Sequence, residues 1–287
     1  MRSIELVPIH QDLIPELARI CYEAFWDLHT RHAVYCDIPD MNTGMQIISH
    51  VTAHPDCTGI VATIDGQPIG SNFLLHSDVV AGIGPITVDP RFQSHGVGRL
   101  LMQWAIDEVH RRGIQQTRLF QEAINTTTLS LYASLGFIWR DSAALMQATP
   151  ATTDDPTIRS LTMADLDRIE LLSIQGYGAS RARSANQLLV AKFPGFARER
   201  DGQIVGYSIS SLFGHANAAT DDDLLALIAH AARHTPPELA TFICPLSRSE
   251  LFRKALVARH RTLKVLSYMS LGGFTPPPGV YLPSIQC

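Results

Sequence analysis

The chain contains 287 residues, of which 46% are hydrophobic and 17% are charged, and its formal net charge is -4. This composition excludes a disordered chain and supplies enough apolar material for one large domain or two ordinary ones. Because the longest basic run is Arg111-Arg112 and no apolar run approaches the roughly 18 residues of a membrane span, neither nucleic acid nor a membrane is an expected partner.

Strand and helix patterns alternate along the first half of the chain. The predicted elements, in chain order, are a strand at 3–9, helices at 13–29 and within 45–54, a hairpin turn at 65–66, a strand at 79–88, a helix at 97–113, a strand at 117–124, a helix at 126–137 and a strand at 138–147. This order predicts a mixed sheet with crossover helices. The N-terminus shows no apolar signal-peptide core, so we expect a cytoplasmic protein.

The second half of the chain echoes the first. A segment rich in small, polar and proline residues, 148–156, predicts a linker between domains at 1–147 and 157–287. The stretch "IDGQPIG" in the first half matches "RDGQIVG" in the second, and these echoes predict a tandem duplication. The proline-rich stretch at 274–283 predicts an extended tail that forms neither helix nor strand.

Two glycines, Gly96 and Gly98, lie where a β-branched run gives way to a helical pattern. A helix N-terminus carries unpaired backbone N–H groups and the positive end of the helix dipole, so it suits a phosphate. Glycine would let an anion approach this backbone, but it would equally serve a turn through its freedom of φ. The spacing fits neither the Walker loop nor the dinucleotide fingerprint, since Arg99 follows where lysine is needed and Leu101 replaces the third glycine.

The residues around the glycines extend the pattern. Residues 88–98 follow the order V-D-P-x-x-Q-x-x-G-x-G, and residues 125–137 follow the order N-x-x-x-x-x-L-Y-x-x-x-G-F. These two motifs resemble those of the GNAT superfamily of N-acetyltransferases, with Thr128 in place of the usual alanine. The resemblance implies an α/β (α+β) fold of two GNAT-like domains, each a mixed, mostly antiparallel twisted sheet flanked by helices. The second domain keeps neither motif, so a degenerate copy and one working site per chain are expected.

The resemblance also implies acetyl-CoA as the acyl donor and assigns its contacts. The family opens its sheet between the fourth and fifth strands, where the backbone of Ile86, Thr87 and Val88 would hold the pantetheine arm. Asn125 would contact the pantetheine end, and Tyr132 would protonate the departing thiolate. The pyrophosphate would meet the turn residues Gln93, Ser94, His95, Gly96, Val97, Gly98 and Arg99.

A base for the acceptor amine is expected as well, because an alkylamine with a pKa near 10.4 is mostly protonated at pH 7. The strand-four glutamate of one branch of the family is absent here. Glu122 on the next strand is the candidate, and His76, Asp78 or a base acting through water are the alternatives.

No metal site is predicted from the sequence. The five cysteines are scattered and form no CxxC pair. His29 and His32 lie three positions apart on a predicted helix, but no third ligand stands at a useful spacing.

These features together predict an acetyl-CoA-dependent N-acetyltransferase, an acyltransferase that transfers acetyl directly to a primary amine of a small molecule or a protein. The alternative is a non-catalytic acyl-CoA-binding or sensory module, which the unassigned base and the degenerate second half favour. Neither the acceptor nor the oligomeric state follows from the sequence.

Overall fold

The computed structural model of the protein describes residues 3–286. The chain divides into two units, each described here by itself: unit 1 comprises Met1–Leu119 with Ile124–Ile138, and unit 2 comprises Phe120–Ala123 with Trp139–Cys287. None of the described helices is long and apolar enough to span a membrane.

The first part of the chain contains seven strands and four helices. They are β1 (Ile4–Pro8), α1 (Ile14–Arg31), α2 (Met41–Ala53), β2 (Cys57–Ile64), β3 (Gln67–Leu75), β4 (Val80–Ile83), β5 (Thr87–Val88), α3 (Val97–Arg111), β6 (Gln116–Glu122), α4 (Thr126–Ser134) and β7 (Ile138–Gln147). Each strand and helix predicted from the periodicity is therefore confirmed, although the strand at 79–88 is divided in two.

The second part of the chain adds seven strands and four helices. They are β8 (Ile158–Ser160), α5 (Leu166–Tyr177), α6 (Ala182–Val190), β9 (Gly195–Arg200), β10 (Gln203–Ile209), β11 (Ala216–Ala218), α7 (Asp221–His234), β12 (Thr241–Pro245), α8 (Ser249–Val257), β13 (Arg261–Gly272) and β14 (Val280–Leu282).

In unit 1, strands β1, β2, β3 and β4 pair in this order and run antiparallel to their neighbours. The turn between β2 and β3 has left-handed backbone angles at Asp65 (φ 50°) and Gly66 (φ 75°), as a tight two-residue hairpin requires. Apolar residues recur along the inner face of α3, from Val97 through Leu101 to Val109, and all three are buried. Helical periodicity thus places one face of α3 in the core of unit 1.

Unit 2 contains two groups of strands. Strand β13 lies between β7 and the end of β6, and β12 pairs antiparallel with the other edge of β7. A separate antiparallel sheet has the order β14-β11-β10-β9-β8. The β9–β10 turn repeats the left-handed angles of the first hairpin, with Asp201 at φ 53° and Gly202 at φ 72°. The second hairpin predicted from the echo is therefore confirmed, and so is the predicted fold class.

Two expectations change in the structure. The strand at 79–88 is interrupted at residues 84–86, where Pro85 has no N–H to donate, and pairing with β3 resumes where Thr87 lies opposite Ser71. The C-terminal stretch forms a real strand, β14, because its three strand residues lie between Pro278 and Pro283 and keep their N–H donors. Strand β7 pairs with β12, and all of it except Ile138 is grouped with unit 2.

The predicted linker, 148–156, has neither helix nor strand, but it is docked onto its own unit. The Ala148 N–H donates to the Ala240 carbonyl at 2.9 Å, and the Ala151 N–H donates to the Ala229 carbonyl at 2.9 Å. The segment is therefore held against unit 2 by backbone hydrogen bonds. The predicted domain bounds on either side of it stay a prediction.

Candidate functional site

A strand, a short 3-10 turn and a helix form the segment that carries the two glycines. β5 pairs antiparallel with β3, with Val88 opposite Gly70. The chain then turns through Asp89 and a 3-10 turn at Pro90–Phe92, and α3 begins at Val97. The motif residues identified in the sequence therefore lie in one strand-to-helix connection.

The side chain of Asp89 is completely buried in this connection. Its carboxylate accepts hydrogen bonds from the Arg91 N–H at 3.0 Å, from the Arg91 guanidinium at 2.6 Å and from the Arg19 guanidinium of α1 at 2.9 Å. The bonds from Arg91, and then that from Arg19, hold the pKa of the Asp89 carboxyl well below its usual range. A charged acceptor bound by two cations fixes the path of the turn.

The two glycines serve different purposes. Gly96 is the N-cap residue of α3 and has a φ of 85°, and Ser94 before it has a φ of 64°, so the turn contains two left-handed residues. At Gly96 the backbone itself therefore favours glycine. Gly98 has an ordinary helical backbone, and a Cβ built there would lie 3.5 Å from Leu131 Cδ2, which is an ordinary contact. The fold of unit 1 does not require glycine at position 98.

The N-terminus of α3 is uncapped. Gly96 provides no side-chain hydrogen bond, and the first turn contains no acidic residue. Because of helix geometry, the N–H groups of Val97, Gly98 and Arg99 have no acceptor within the helix. They therefore form a compact set of donors at the positive end of the helix dipole.

Two polar side chains of the turn are engaged locally. Gln93 Nε2 donates to the Val88 carbonyl at 3.2 Å, and His95 Nδ1 lies 2.7 Å from the Gln93 carbonyl. Both side chains are exposed, and their local bonds brace the turn from outside.

The sheet of unit 1 opens beside this turn. The parallel pairing of β4 with β6 extends over three residues and ends where Gly82 lies opposite Arg118. Among the described residues, β5 pairs only with β3. The side chains of Ile86 and Val88 pack with Val97 in the core. The backbone edge of β5 that faces away from β3 is therefore the part of this segment with which an extended ligand can pair.

Thr87 adds a polar atom to this opening. Its side chain is 3% exposed, and its hydroxyl has no hydrogen-bond partner among residues 3–286. A buried hydroxyl without a partner costs free energy, so an incoming polar ligand could satisfy it.

Helix α4 lies against the first turn of α3. Asn125 is the N-cap residue of α4, and its Oδ1 accepts a hydrogen bond from the Thr128 N–H at 3.1 Å. The Arg99 guanidinium donates to the Ser134 hydroxyl at 2.9 Å and so joins the start of α3 to the end of α4. Asn125 therefore has a structural role as a cap, besides the ligand contact that the sequence predicts.

Tyr132 lies on the buried face of α4 and is 4% exposed. Its ring contacts Phe137, with the ring centroids 6.2 Å apart. Burial raises the pKa of the Tyr132 phenol above its usual value, so the hydroxyl keeps its proton at neutral and mildly alkaline pH. A protonated phenol is the form that can act as a general acid.

The candidate bases have partners of their own. Glu122 is 10% exposed at its side chain and accepts a hydrogen bond from Lys264 Nζ of β13, whose side chain is 4% exposed. Both residues belong to unit 2. His76 in unit 1 lies 3.3 Å from the Thr58 hydroxyl, and burial lowers the pKa of its imidazole.

The predicted cofactor-binding residues and Tyr132 thus lie together on β5, α3 and α4 of unit 1, whereas Glu122 is grouped with unit 2. His29 is buried within α1 and His32 is exposed beyond its end. The sequence reasoning missed the roles of Asp89 and Lys264. An aspartate directly before a proline is a signal for a turn cap, but no local pattern pairs residues that lie 142 positions apart.

Comparison with known proteins supports the family resemblance that the two motifs indicate. Residues 14–137 match the model of the Acetyltransferase (GNAT) family. A segment of 52 residues is 46% identical to [Ribosomal protein bS18]-alanine N-acetyltransferase of Salmonella typhimurium, and it covers 18% of this chain and 35% of that relative. The match therefore spans about a third of the relative's length.

Two solved structures resemble nearly the whole chain. A proposed acetyltransferase from Pyrococcus horikoshii has a TM-score of 0.78 at 13% identity, over 98% of this chain and 92% of that one. A tandem GNAT protein from the clavulanic acid biosynthesis pathway has a TM-score of 0.59 at 11% identity, over 95% and 100% of the two chains. At these identities the likeness is one of fold.

The Asp89 anchor predicts a pH-dependent loss of stability. Because its folded-state pKa is depressed, the stability that Asp89 contributes is present above its unfolded-state pKa of about 3.9 and is lost as the pH falls below it. Asp89→Asn should lower the free energy of unfolding by about 1–3 kcal/mol at pH 7, and the difference from wild type should shrink below about pH 4. Urea unfolding at several pH values measures this difference.

The matched control is Asp201→Asn in the exposed β9–β10 turn, where the change should stay within about 0.5 kcal/mol. An Asp89→Asn protein as stable as wild type at pH 7 would contradict the anchoring role.

Proposed function

We propose that the protein, whose residues 14–137 form a domain of the acetyltransferase (GNAT) family, is an acetyl-CoA-dependent N-acetyltransferase with one acetyl-CoA site, in unit 1. The family and the relatives support acyl transfer to an amine. The proposed acceptor is a primary amine of a small molecule or of a protein, and a protein acceptor has the precedent of the bS18-alanine enzyme of Salmonella typhimurium.

The observation that carries the proposal is the N-terminus of α3. It is uncapped, has no acidic side chain in its first turn, and has at its second helical position a glycine that the fold does not require. Glycine in a helix costs about 0.5–1 kcal/mol relative to alanine. A close approach of the pyrophosphate to the N–H groups explains why glycine stands there.

The remaining contacts follow from the opening of the sheet. The backbone edge at Ile86, Thr87 and Val88 would pair with the pantetheine arm, and the Thr87 hydroxyl would gain a partner there. Asn125 at the start of α4 would contact the same arm. Acetyl-CoA, when bound, supplies the acetyl group as a thioester, and the protein's part is to hold and orient it.

Tyr132 is the proposed proton donor. Its burial keeps the phenol protonated at working pH, and α4 holds it in the same unit as the uncapped α3. Glu122 is the proposed base, and it would have to accept a proton while Lys264 Nζ is bonded to one of its oxygens.

The second half offers no comparable phosphate site at the corresponding helix. The N-terminus of α7 is capped by Thr220, whose hydroxyl accepts from the Asp223 N–H at 3.1 Å, and Asp221, Asp222 and Asp223 fill its first turn. Carboxylates at this position repel a phosphate. This supports the proposal of a degenerate second copy.

A non-catalytic acyl-CoA-binding module is the second candidate. The observation that favours it is the ion pair between Glu122 and Lys264, which engages the carboxylate proposed as base. The two candidates share the acetyl-CoA site and differ only in turnover.

Substitution of Gly98 tests the site itself. Gly98→Ala should raise the free energy of unfolding by about 0.5–1 kcal/mol, since alanine suits the helix and its Cβ fits against Leu131. The same change should weaken acetyl-CoA binding at least about ten-fold, because the methyl group holds the pyrophosphate off the N–H groups. Thermal unfolding and calorimetric titration with acetyl-CoA measure the two effects.

Gln103→Ala, at an exposed position further along α3, is the control and should leave acetyl-CoA affinity unchanged. A Gly98→Ala protein that is more stable and binds acetyl-CoA as tightly as wild type would show that the pyrophosphate binds elsewhere.

Substitution of Tyr132 tests the enzyme. With a panel of primary amines and peptides, Tyr132→Phe should lower kcat at least about ten-fold, because a general acid is lost, and leave acetyl-CoA affinity unchanged. Thiol release measures the rate. Tyr22→Phe on α1 is the control.

If the wild-type protein binds acetyl-CoA but releases no thiol with any amine of the panel, the binding-module candidate replaces the enzyme. If Tyr132→Phe turns over as fast as wild type, the proton donor is another group.

A further inference from the structure

Three ligating side chains from distant parts of the sequence meet on the surface of unit 2. His230 and His234 stand one turn apart on α7, and Asp154 comes from the predicted linker at 148–156. Each offers one ligand atom, and these three atoms all lie within 4.8 Å of one another. His234 Nε2 is 2.8 Å from Asp154 Oδ1, and the two imidazole centroids are 4.5 Å apart.

His230 is the buried member of this cluster. It is 6% exposed, and its Nδ1 has no hydrogen-bond partner among the described residues. Phe196 packs edge-on against its ring at 5.2 Å. Burial, and then the neighbouring His234, lower the pKa of His230, so its imidazole is neutral at pH 7 and has a lone pair to donate.

Asp154 is held in place by its neighbours. Arg233 Nε donates to Asp154 Oδ1 at 3.0 Å, and Arg233 Nη1 also donates to the carbonyls of Ala151 and Thr152 at 3.2 and 3.1 Å. The hydrogen bond to His234, followed by the charge of Arg233, lowers the pKa of Asp154, which therefore presents a carboxylate. The segment that carries Asp154 is thus ordered against α7 before any ion binds.

We propose that Asp154, His230 and His234 form a binding site for one divalent transition-metal ion of the zinc type. Two imidazole nitrogens and one carboxylate oxygen are a donor set that zinc accepts, whereas magnesium and calcium prefer oxygen ligands alone. Tetrahedral zinc with bonds of about 2.0–2.2 Å sets its ligand atoms about 3.4 Å apart. Asp154 and His234 have side chains that are 60% and 40% exposed, so they can open to that spacing and leave a fourth position to water.

The bound ion would join the 148–156 segment to α7. This connection already rests on the bond between Ala151 and Ala229 and on the bonds that Arg233 and His234 make to the segment, and the metal would add a further, stronger attachment. The site is distinct from the proposed acetyl-transfer site, since the two have no residue in common.

The test uses the full chain, without an oligohistidine tag and dialysed against a chelator. Zn²⁺ is titrated by calorimetry, Co²⁺ is titrated by its visible absorption, and thermal unfolding is followed with and without Zn²⁺. The variants are His234→Gln and Asp154→Asn, both at largely exposed positions that should not prevent folding. His110→Gln, an exposed histidine on α3, is the matched control.

Wild type and His110→Gln should bind one Zn²⁺ per chain and unfold at a higher temperature with the metal present. Each of the two ligand variants should bind at least about ten-fold more weakly, because one of three protein ligands is lost, and should lose the thermal shift. Absence of one-to-one binding by wild type, equal affinity in the ligand variants, or equal weakening by His110→Gln would each overturn the proposal.

Discussion

The buried carboxylate of Asp89 is the interaction on which the site in unit 1 depends. It lies where β5 ends. The hydrogen bond from Arg19 joins the turn to α1, and the hydrogen bond from Arg91 stabilises the turn internally. A buried charge is tolerated only when it is paired and hydrogen-bonded, so the turn has little freedom to adopt another path. That path continues through the left-handed residues Ser94 and Gly96 to the uncapped start of α3.

Two helices at corresponding places in the two halves of the chain show how few residues decide what such a terminus can do. α3 starts with glycines and no acidic residue, whereas α7 starts with a threonine cap and three aspartates. Both sequences are compatible with the start of a helix. The start of α3 leaves N–H donors open to an anion, whereas carboxylates occupy the same position in α7. The contrast gives the proposal of a degenerate second half a physical basis, because α7 has a self-capped terminus where α3 has one that is open to an anion.

Contacts between residues distant in sequence account for the features that local patterns did not predict. Lys264 of β13 reaches Glu122 of β6 because β13 is the neighbour of β6 in unit 2, so the carboxylate that the sequence offers as the candidate base is ion-paired. Asp154 meets His230 and His234 because the segment after β7 docks onto α7. In both cases the sequence identifies one residue as a candidate base or ligand, but it does not identify the residue that contacts it.

By itself the sequence determined the helices and strands of the first half, both hairpins, the turn that carries the glycines and the family motifs, because each of these is encoded by residues close together in the chain. It left open whether Gly96 and Gly98 served geometry or a ligand, and the structure separates them: a φ of 85° explains Gly96, and nothing in the fold explains Gly98. Only the tertiary structure decided the role of Asp89, the partner of Glu122, the strand at 280–282 and the meeting of Asp154 with the α7 histidines. These features depend on which surfaces meet after the chain has folded, and the spacing of residues along the sequence does not encode those contacts.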